Sequence, residues 1–142
     1  MQVEHILQSK GRAVHTVEAG APLSEAVRVL NTHRIGAVVV VDAKGRVAGI
    51  LSERDVVRHL GDDPVKVLAS PVRTAMTEKV ITTRSDASVS ELMEVMTRHR
   101  IRHIPVIENG DLVGIVSIGD VVKRKIEEAE QEALALKQYI AS

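Results

Sequence analysis

Apolar residues recur along the chain with two periods. Leu23, Ala26, Val27 and Leu30 fall at i, i+3, i+4 and i+7, which places them on one face of a helix, and Val89, Leu92, Met93 and Met96 do the same further on. Pro22 suits the first turn of the earlier helix, and Ser88-Val89-Ser90-Glu91 reads as a capping box opening the later one. Each helix is followed by two short, nearly continuous apolar runs: Ala37 to Val41 and Val47 to Leu51, then Ile104 to Ile107 and Leu112 to Val116. Such runs predict strands covered on both faces. Asp42-Ala43-Lys44-Gly45 and Glu108-Asn109-Gly110-Asp111 predict hairpin turns, Asn-Gly more strongly because both residues tolerate positive φ. A further helix begins at Asp55, and another at Asp120. A last one is predicted over Ile126 to Ile140, where Ala129, Ala133, Leu136 and Ile140 form an apolar stripe against a Glu- and Gln-rich face. That stripe either lies on its own module or meets the same helix of a second chain.

The unit strand–helix–strand–strand–helix occurs twice because the sequence repeats. Thr16 to Ala43 lies over Thr82 to Asn109 without a gap, and a one-residue deletion then brings Gly45 to Val57 over Gly110 to Val122. Roughly 16 of about 41 aligned positions are identical, strong for an internal repeat. Neither copy alone has much core, so the two are expected to pack together with pseudo-two-fold symmetry. The expected fold is α/β (α+β), two β-α-β-β-α repeats plus a C-terminal helix. Residues 1–62 would form the first repeat with its N-terminal segment, 63–71 a linker, 72–126 the second repeat and 127–142 the amphipathic helix. Asp62-Asp63-Pro64 marks the break between the repeats.

Composition narrows the function. The chain has 142 residues, 44% hydrophobic and 27% charged, enough for a globular core. Lys+Arg and Asp+Glu are both 19, so no overall charge favours nucleic acid. The absence of Cys excludes disulfides and thiolate chemistry, and a single aromatic of the Phe/Trp/Tyr class, Tyr139, argues against a base-stacking platform. The start, MQVEHILQSKGR, lacks the pattern of a secretory signal, and the longest apolar stretch, Ile35 to Val41, is far below the roughly 20 residues of a membrane span. A cytoplasmic protein with no membrane partner is expected. Gly-x-x-x-x-Gly-Lys-Ser/Thr, a strand-linked Gly-x-Gly-x-x-Gly and His-Glu-x-x-His are all missing, and no catalysis is expected. His99 and His103 are four apart, but they straddle the expected start of a strand and no third ligand is apparent, so no metal site is expected.

The repeated segment Gly49-Ile50-Leu51-Ser52-Glu53-Arg54-Asp55, matched by Gly114-Ile115-Val116-Ser117-Ile118-Gly119-Asp120, closes each apolar hairpin with Gly-apolar-x-Ser-x-x-Asp. With Val72-Arg73-Thr74-Ala75-Met76-Thr77 leading into the second copy and Val3-Glu4-His5-Ile6-Leu7 more weakly into the first, the chain resembles a tandem pair of cystathionine-β-synthase (CBS) domains, a Bateman module, over about residues 3 to 125. The resemblance implies two clefts between the repeats that bind adenosine compounds (AMP, ADP or ATP, or else NAD or S-adenosylmethionine), a non-catalytic sensor role, an effector protein outside the chain, and a homodimer. Carried over by alignment, one cleft would use Asp120 with Thr16, Ala21, Ile35, Gly36, Ala37, Arg102, His103, Ser117 and Gly119. The other would use Asp55 with Thr82, Ala87, Ile101, Ile104, Pro105, Ser52 and Arg54. A carboxylate can accept both hydroxyls of a ribose diol, and Arg102 and His103 stand where the first repeat has only Gly36 and Ala37. The Asp120 cleft is therefore expected to hold phosphate more strongly.

Each feature also has a purely structural role. Ser-x-x-Asp is a helix capping box. His33 and His99 suit helix C-termini, Lys123-Arg124-Lys125 reads as a solvated helix end, and Gly49 and Gly114 would permit close backbone approach. Pro105, lacking an N–H, leaves its strand incompletely laddered. The alternative function is a dimeric interaction module whose nucleotide clefts are vestigial.

Overall fold

A computed structural model describes residues 1–61 and 63–142; Asp62, part of the expected break, lies outside the described residues. The order is α1 (Val3–Lys10), β1 (Thr16–Glu18), α2 (Leu23–His33), β2 (Ala37–Val41), β3 (Val47–Ser52), α3 (Glu53–Leu60), α4 (Pro64–Ala69), a single 3-10 turn (Val72–Thr74), α5 (Val89–His99), β4 (His103–Glu108), β5 (Asp111–Ser117) and α6 (Ile118–Ala141). The expected α/β fold with two repeated units is present. The linker holds a helix of its own, α4, started by the Asp63 side chain and by Pro64 in its first turn.

In the first repeat β1 runs parallel to β2, and β2 antiparallel to β3. In the second, β4 and β5 form a two-stranded antiparallel hairpin, and the strand expected before α5 shrinks to one bridge, Thr83 to Val106. The cause is local. Val39 of β2 pairs with Thr16, but its counterpart is Pro105, which has no N–H to extend the ladder. On the other side Ala19 donates to the Val41 carbonyl, whereas the equivalent N–H, on Ser85, goes to the Glu108 side chain at 2.8 Å. The Asn109-Gly110 turn has φ of 52° and 82°, as that dipeptide predicts.

Helices α2 and α5 close alike. Arg34 and Arg100 adopt left-handed φ of 52° and 54°, and Ile35 and Ile101 donate back five residues to Leu30 and Met96. At the start of α5 only half of the expected capping box forms: Ser88 Oγ accepts from the Glu91 N–H at 3.0 Å, with no return bond from the Glu91 side chain.

Each core is completed by the segment that precedes the other repeat. Val3, Ile6 and Leu7 of α1 are buried with Val89, Leu92, Met96, Ile104, Val106, Val116 and Val121 of the second repeat. Val72, Ala75 and Met76 pack likewise with Leu23, Ala26, Leu30, Val38 and Leu51 of the first. Backbone bonds fix the exchange: Val3 N–H to Ala87 O, and Val72 N–H to Ala21 O. Gly49 and Gly114 sit where these segments cross, with the close approach expected of them. A Cβ on Gly114 would lie 2.6 Å from Leu7 Cδ2, and one on Gly49 2.6 Å from Met76 Sδ and 2.8 Å from the Thr77 carbonyl oxygen.

Two expectations about the C-terminal part need correction. The helix at Asp120 and the helix over Ile126–Ile140 are one helix, α6, of 24 residues, since nothing between them breaks it. Lys123-Arg124-Lys125 is not a helix end: Arg124 donates to the His5 carbonyl oxygen at 2.6 Å and Lys125 to Ser90 Oγ at 2.7 Å, tying α6 to α1 and α5. Beyond Glu128 every residue of α6 is exposed, so the apolar stripe does not lie on its own module. Among the described residues no helix is long and apolar enough to cross a membrane.

Candidate functional site

The two Gly-apolar-x-Ser-x-x-Asp segments turn strand into helix in the same way. Ser52 caps α3: its Oγ accepts from the Asp55 N–H at 3.2 Å, and Asp55 Oδ2 accepts from the Ser52 N–H at 2.9 Å and from Ser52 Oγ at 3.0 Å. Ser117 caps α6 equivalently, with Asp120 N–H to Ser117 Oγ at 3.2 Å and Ser117 N–H to Asp120 Oδ2 at 2.8 Å. The capping role is therefore real in both repeats. It uses Oδ2 of each aspartate, so a further partner for the carboxylate remains geometrically possible.

Around Asp55 lies a cleft of about 660 Å³, within the size range of small-molecule sites. Ser52, Arg54, Asp55 and Arg58 enter from the start of α3, Thr77 to Ile81 from the segment crossing back over the first repeat, and His99 to His103 from the α5–β4 turn. Of the residues expected beside Asp55, the cleft gathers Ser52, Arg54 and Ile101. Ile104 and Pro105 are instead buried in β4, Thr82 is exposed on the chain leading to the Thr83 bridge, and the Ala87 carbonyl accepts from Val3.

Gly36, Ala37, Arg102 and His103, expected beside Asp120, line the Asp55 cleft, while His103 also pairs with Ser117 across the β4–β5 hairpin, within reach of the Asp120 charge. The reason is the pseudo-dyad, which brings the start of β2 against the start of β4. A Cβ on Gly36 would lie 2.9 Å from Glu53 Oε1 and 3.2 Å from His103 Cε1, so a larger residue there would shift the Glu53 carboxylate and press on the imidazole. Burial pushes the His103 imidazole below its ordinary pKa of 6.5, and the Lys10 ammonium adds to this, so at neutral pH His103 is uncharged. It then offers phosphate a hydrogen bond and not the charge the sequence suggests.

Of the other residues assigned to Asp120, Ser117 and Gly119 stand beside it at the capped start of α6, and the rest are dispersed. Thr16 pairs with Val39 in the sheet, and the Ala21 carbonyl accepts from Val72. Ile35 lines a separate groove of about 440 Å³ between α2 and α3, floored by Val27, Leu30, Val56 and Val57, which lacks a motif aspartate. Asp120 itself is engaged by Lys10, whose Nζ donates to Asp120 Oδ2 at 2.7 Å and to the Ile115 carbonyl oxygen at 2.9 Å. Burial pushes the Asp120 carboxyl up, but the Lys10 ammonium and the Ser117 N–H outweigh it and hold the group below its ordinary pKa of 3.8.

The two clefts differ because the two crossing segments differ. Laid over one another, Val3 to Lys10 matches Val72 to Lys79, with valine at the start and lysine at the end of both. The first is a full helix, and its last turn sets Lys10 on Asp120. The second is helical only over Val72–Thr74, then turns and bends with Thr77 bridged to Ile50, and Lys79 lines the cleft without an ion pair among the described residues. Sequence reasoning misses Lys10 and Lys79 because it compares the repeats only from Thr16 onward, and misses Arg58 and Arg100 because neither lies in the Ser-x-x-Asp motif. Continuing the comparison into the lead-in segments finds the two lysines.

The Asp55 cleft is cationic on a chain with no net charge. Arg54, Arg58, Lys79, Arg100 and Arg102 line it against Glu53 and Asp55, and none of the five cations is ion-paired among the described residues. Arg100 also sits in the left-handed region, costing about 1 kcal/mol for a non-glycine residue.

Comparison with known proteins agrees with this geometry. The CBS domain family matches residues 5–62 and 72–127. The CBS-domain containing protein ATU1752 from Agrobacterium tumefaciens has a similar crystal structure, with a TM-score of 0.84 and 46% identity, covering 87% of this chain and 92% of that one. The mitochondrial CBS domain-containing protein CBSX3 of Arabidopsis thaliana is 34% identical over 146 residues, 97% of this chain and 71% of its own length. The CBS domain pair of protein MJ0100, solved in complex with 5′-methylthioadenosine and S-adenosyl-L-methionine, matches with a TM-score of 0.79 and 25% identity over 90% of this chain and 98% of that one. Repeat, exchanged cores and paired Ser-x-x-Asp caps thus lead to one statement: this chain belongs to the CBS domain family, as two CBS domains in tandem.

Proposed function

We propose that the chain is a non-catalytic regulatory module that binds an adenosine phosphate, AMP, ADP or ATP, in the Asp55 cleft and signals its occupancy to a separate effector protein. The observation that carries this reading is the meeting, in one cleft, of the Asp55 carboxylate with five cations that have no ion pair among the described residues. The carboxylate suits the vicinal hydroxyls of ribose, and guanidinium groups suit phosphate oxygens bidentately. MJ0100 supports the adenosine part, since its CBS pair is solved with two adenosine-containing compounds. The charge of this cleft favours phosphates over S-adenosylmethionine, whose sulfonium would add a further cation. NAD also carries phosphates, but as an uninterrupted diphosphate bridge with no terminal group for the arginines to grip.

This reading moves the stronger site from Asp120 to Asp55, because Arg102 and His103 line the Asp55 cleft and Lys10 engages Asp120. The test is isothermal titration of AMP, ADP, ATP, NAD and S-adenosylmethionine into wild type, Asp55→Ala and Asp120→Ala. We expect one phosphorylated ligand per chain, with binding lost in Asp55→Ala, kept in Asp120→Ala, and weakened by salt. A saturating ligand at about 100 times its dissociation constant adds roughly 2.7 kcal/mol, or about 5–10 °C in melting temperature. Binding lost only in Asp120→Ala would return the site to Asp120. No binding of any compound, on protein freed of copurified nucleotide, would favour the interaction module with vestigial clefts.

A further inference from the structure

Past Glu128 helix α6 leaves the module with an apolar stripe wholly in solvent, Leu136 at 59% and Ile140 at 74% exposure. Val122, Ile126, Ala129, Ala133, Leu136 and Ile140 are spaced 4, 3, 4, 3 and 4 residues apart. That is a heptad seam, with Ile126, Ala133 and Ile140 at a and Val122, Ala129 and Leu136 at d. Isoleucine at a with leucine at d is the choice that favours two parallel strands. Val121, Arg124 and Glu128 hold α6 to the module from roughly a third of a turn around the helix, and Lys125 from nearer the seam, but Val122 and Ile126 of the seam stay exposed while the module is docked.

The flanking charges single out the partner and its direction. Lys125 and Glu132 occupy g positions, Glu130 and Lys137 e positions. In a parallel pair each g residue faces the e residue five positions later on the other strand, so Glu132 meets Lys137, and Lys125, which also bonds Ser90 and Glu128 of its own chain, meets Glu130; both pairs are attractive. In an antiparallel pair e faces e and g faces g, which sets Glu130 near its own copy and Lys123 near Lys137. Glu130, Glu132 and Lys137 have no ion pair within the chain among the described residues.

We propose that the α6 seam binds the same helix of a second copy of this chain as a short, parallel, in-register coiled coil. This goes beyond the ligand reading, and its test is run on ligand-free protein. The chain has no cysteine, so single Ala129→Cys and Leu136→Cys variants of the full chain report the pairing directly. Under mild oxidation each variant alone is expected to cross-link to twice the 15.4 kDa chain mass. Adding Leu136→Glu to Ala129→Cys should abolish that cross-link, while the melting transition stays, since position 136 touches no core. Cross-linking of Ala129→Cys only when it is mixed with an Ala133→Cys variant means antiparallel strands and overturns the proposal. So does a sedimentation mass of one chain for wild type, or cross-linking that survives Leu136→Glu. Nucleotide titration of Leu136→Glu keeps the two readings apart, because the Asp55 cleft is built within one chain.

Discussion

Asp55 and Asp120 hold the same position in the two repeats and make the same cap, yet a lysine reaches only one of them. The pair of Lys10 with Asp120 is partly buried and is worth about 1 kcal/mol. Because the Asp120 carboxyl is held below its ordinary pKa, this contribution is fully present above the ordinary carboxylate range and is lost as the pH falls through the depressed value. Lys10→Met is thus expected to lower the melting temperature at neutral pH by about 2–4 °C. The gap to wild type should close as the pH falls below the ordinary carboxylate range, about pH 4. Melting curves of both proteins across that range check it, and a gap independent of pH would assign the effect to packing of the lysine stem. Which residues could carry ligand chemistry was legible from the repeated Ser-x-x-Asp. Which aspartate is engaged was not, since that depends on a helix contact across 110 residues of chain.

The crossing segments carry the next level of organisation. Gly49 and Gly114 are equivalent in sequence, but their neighbours differ in how far they can yield. A methyl group on Gly114 meets the Leu7 side chain. One on Gly49 also meets the Thr77 carbonyl, which is held by the Ile50 N–H at 3.0 Å. Gly49→Ala should cost about 2–3 kcal/mol and Gly114→Ala about 1–2 kcal/mol, as overpacking does. Urea unfolding of the two variants measures the difference, and equal costs would mean that the Ile50–Thr77 bridge yields freely. The helices and hairpins were readable from periodicity and turn residues. Two elements were not: the lost strand of the second repeat, which depends on Pro105 and on a Glu108 side chain competing for the Ser85 N–H, and the continuity of α6, where the sequence has a change of surface character but no breaker.

For the molecule as a whole, the exchange means that the two repeats cannot be separated. Removing Met1 to Lys10 takes Val3, Ile6 and Leu7, each at most 4% exposed, out of the core of the second repeat. At about 1.5–3 kcal/mol for each buried side chain, the loss rivals the whole stability of an ordinary domain, about 5–15 kcal/mol. The shortened chain is expected to unfold at far lower urea, the second repeat first, as read by amide exchange in β4 and β5. Retained protection there would show that the second repeat closes its core without α1. The sequence by itself determined the repeat, the element types, the αβ class and the capped aspartates, because periodicity, turn chemistry and capping are local and act within a few residues. Only the tertiary structure decided that each lead-in fills the opposite core, that Gly36 and Ala37 share one cleft with Arg102 and His103, and that Lys10 engages Asp120. Those outcomes depend on where the pseudo-dyad sets distant segments against each other, and on one lead-in being helical where its counterpart is a 3-10 turn followed by bends.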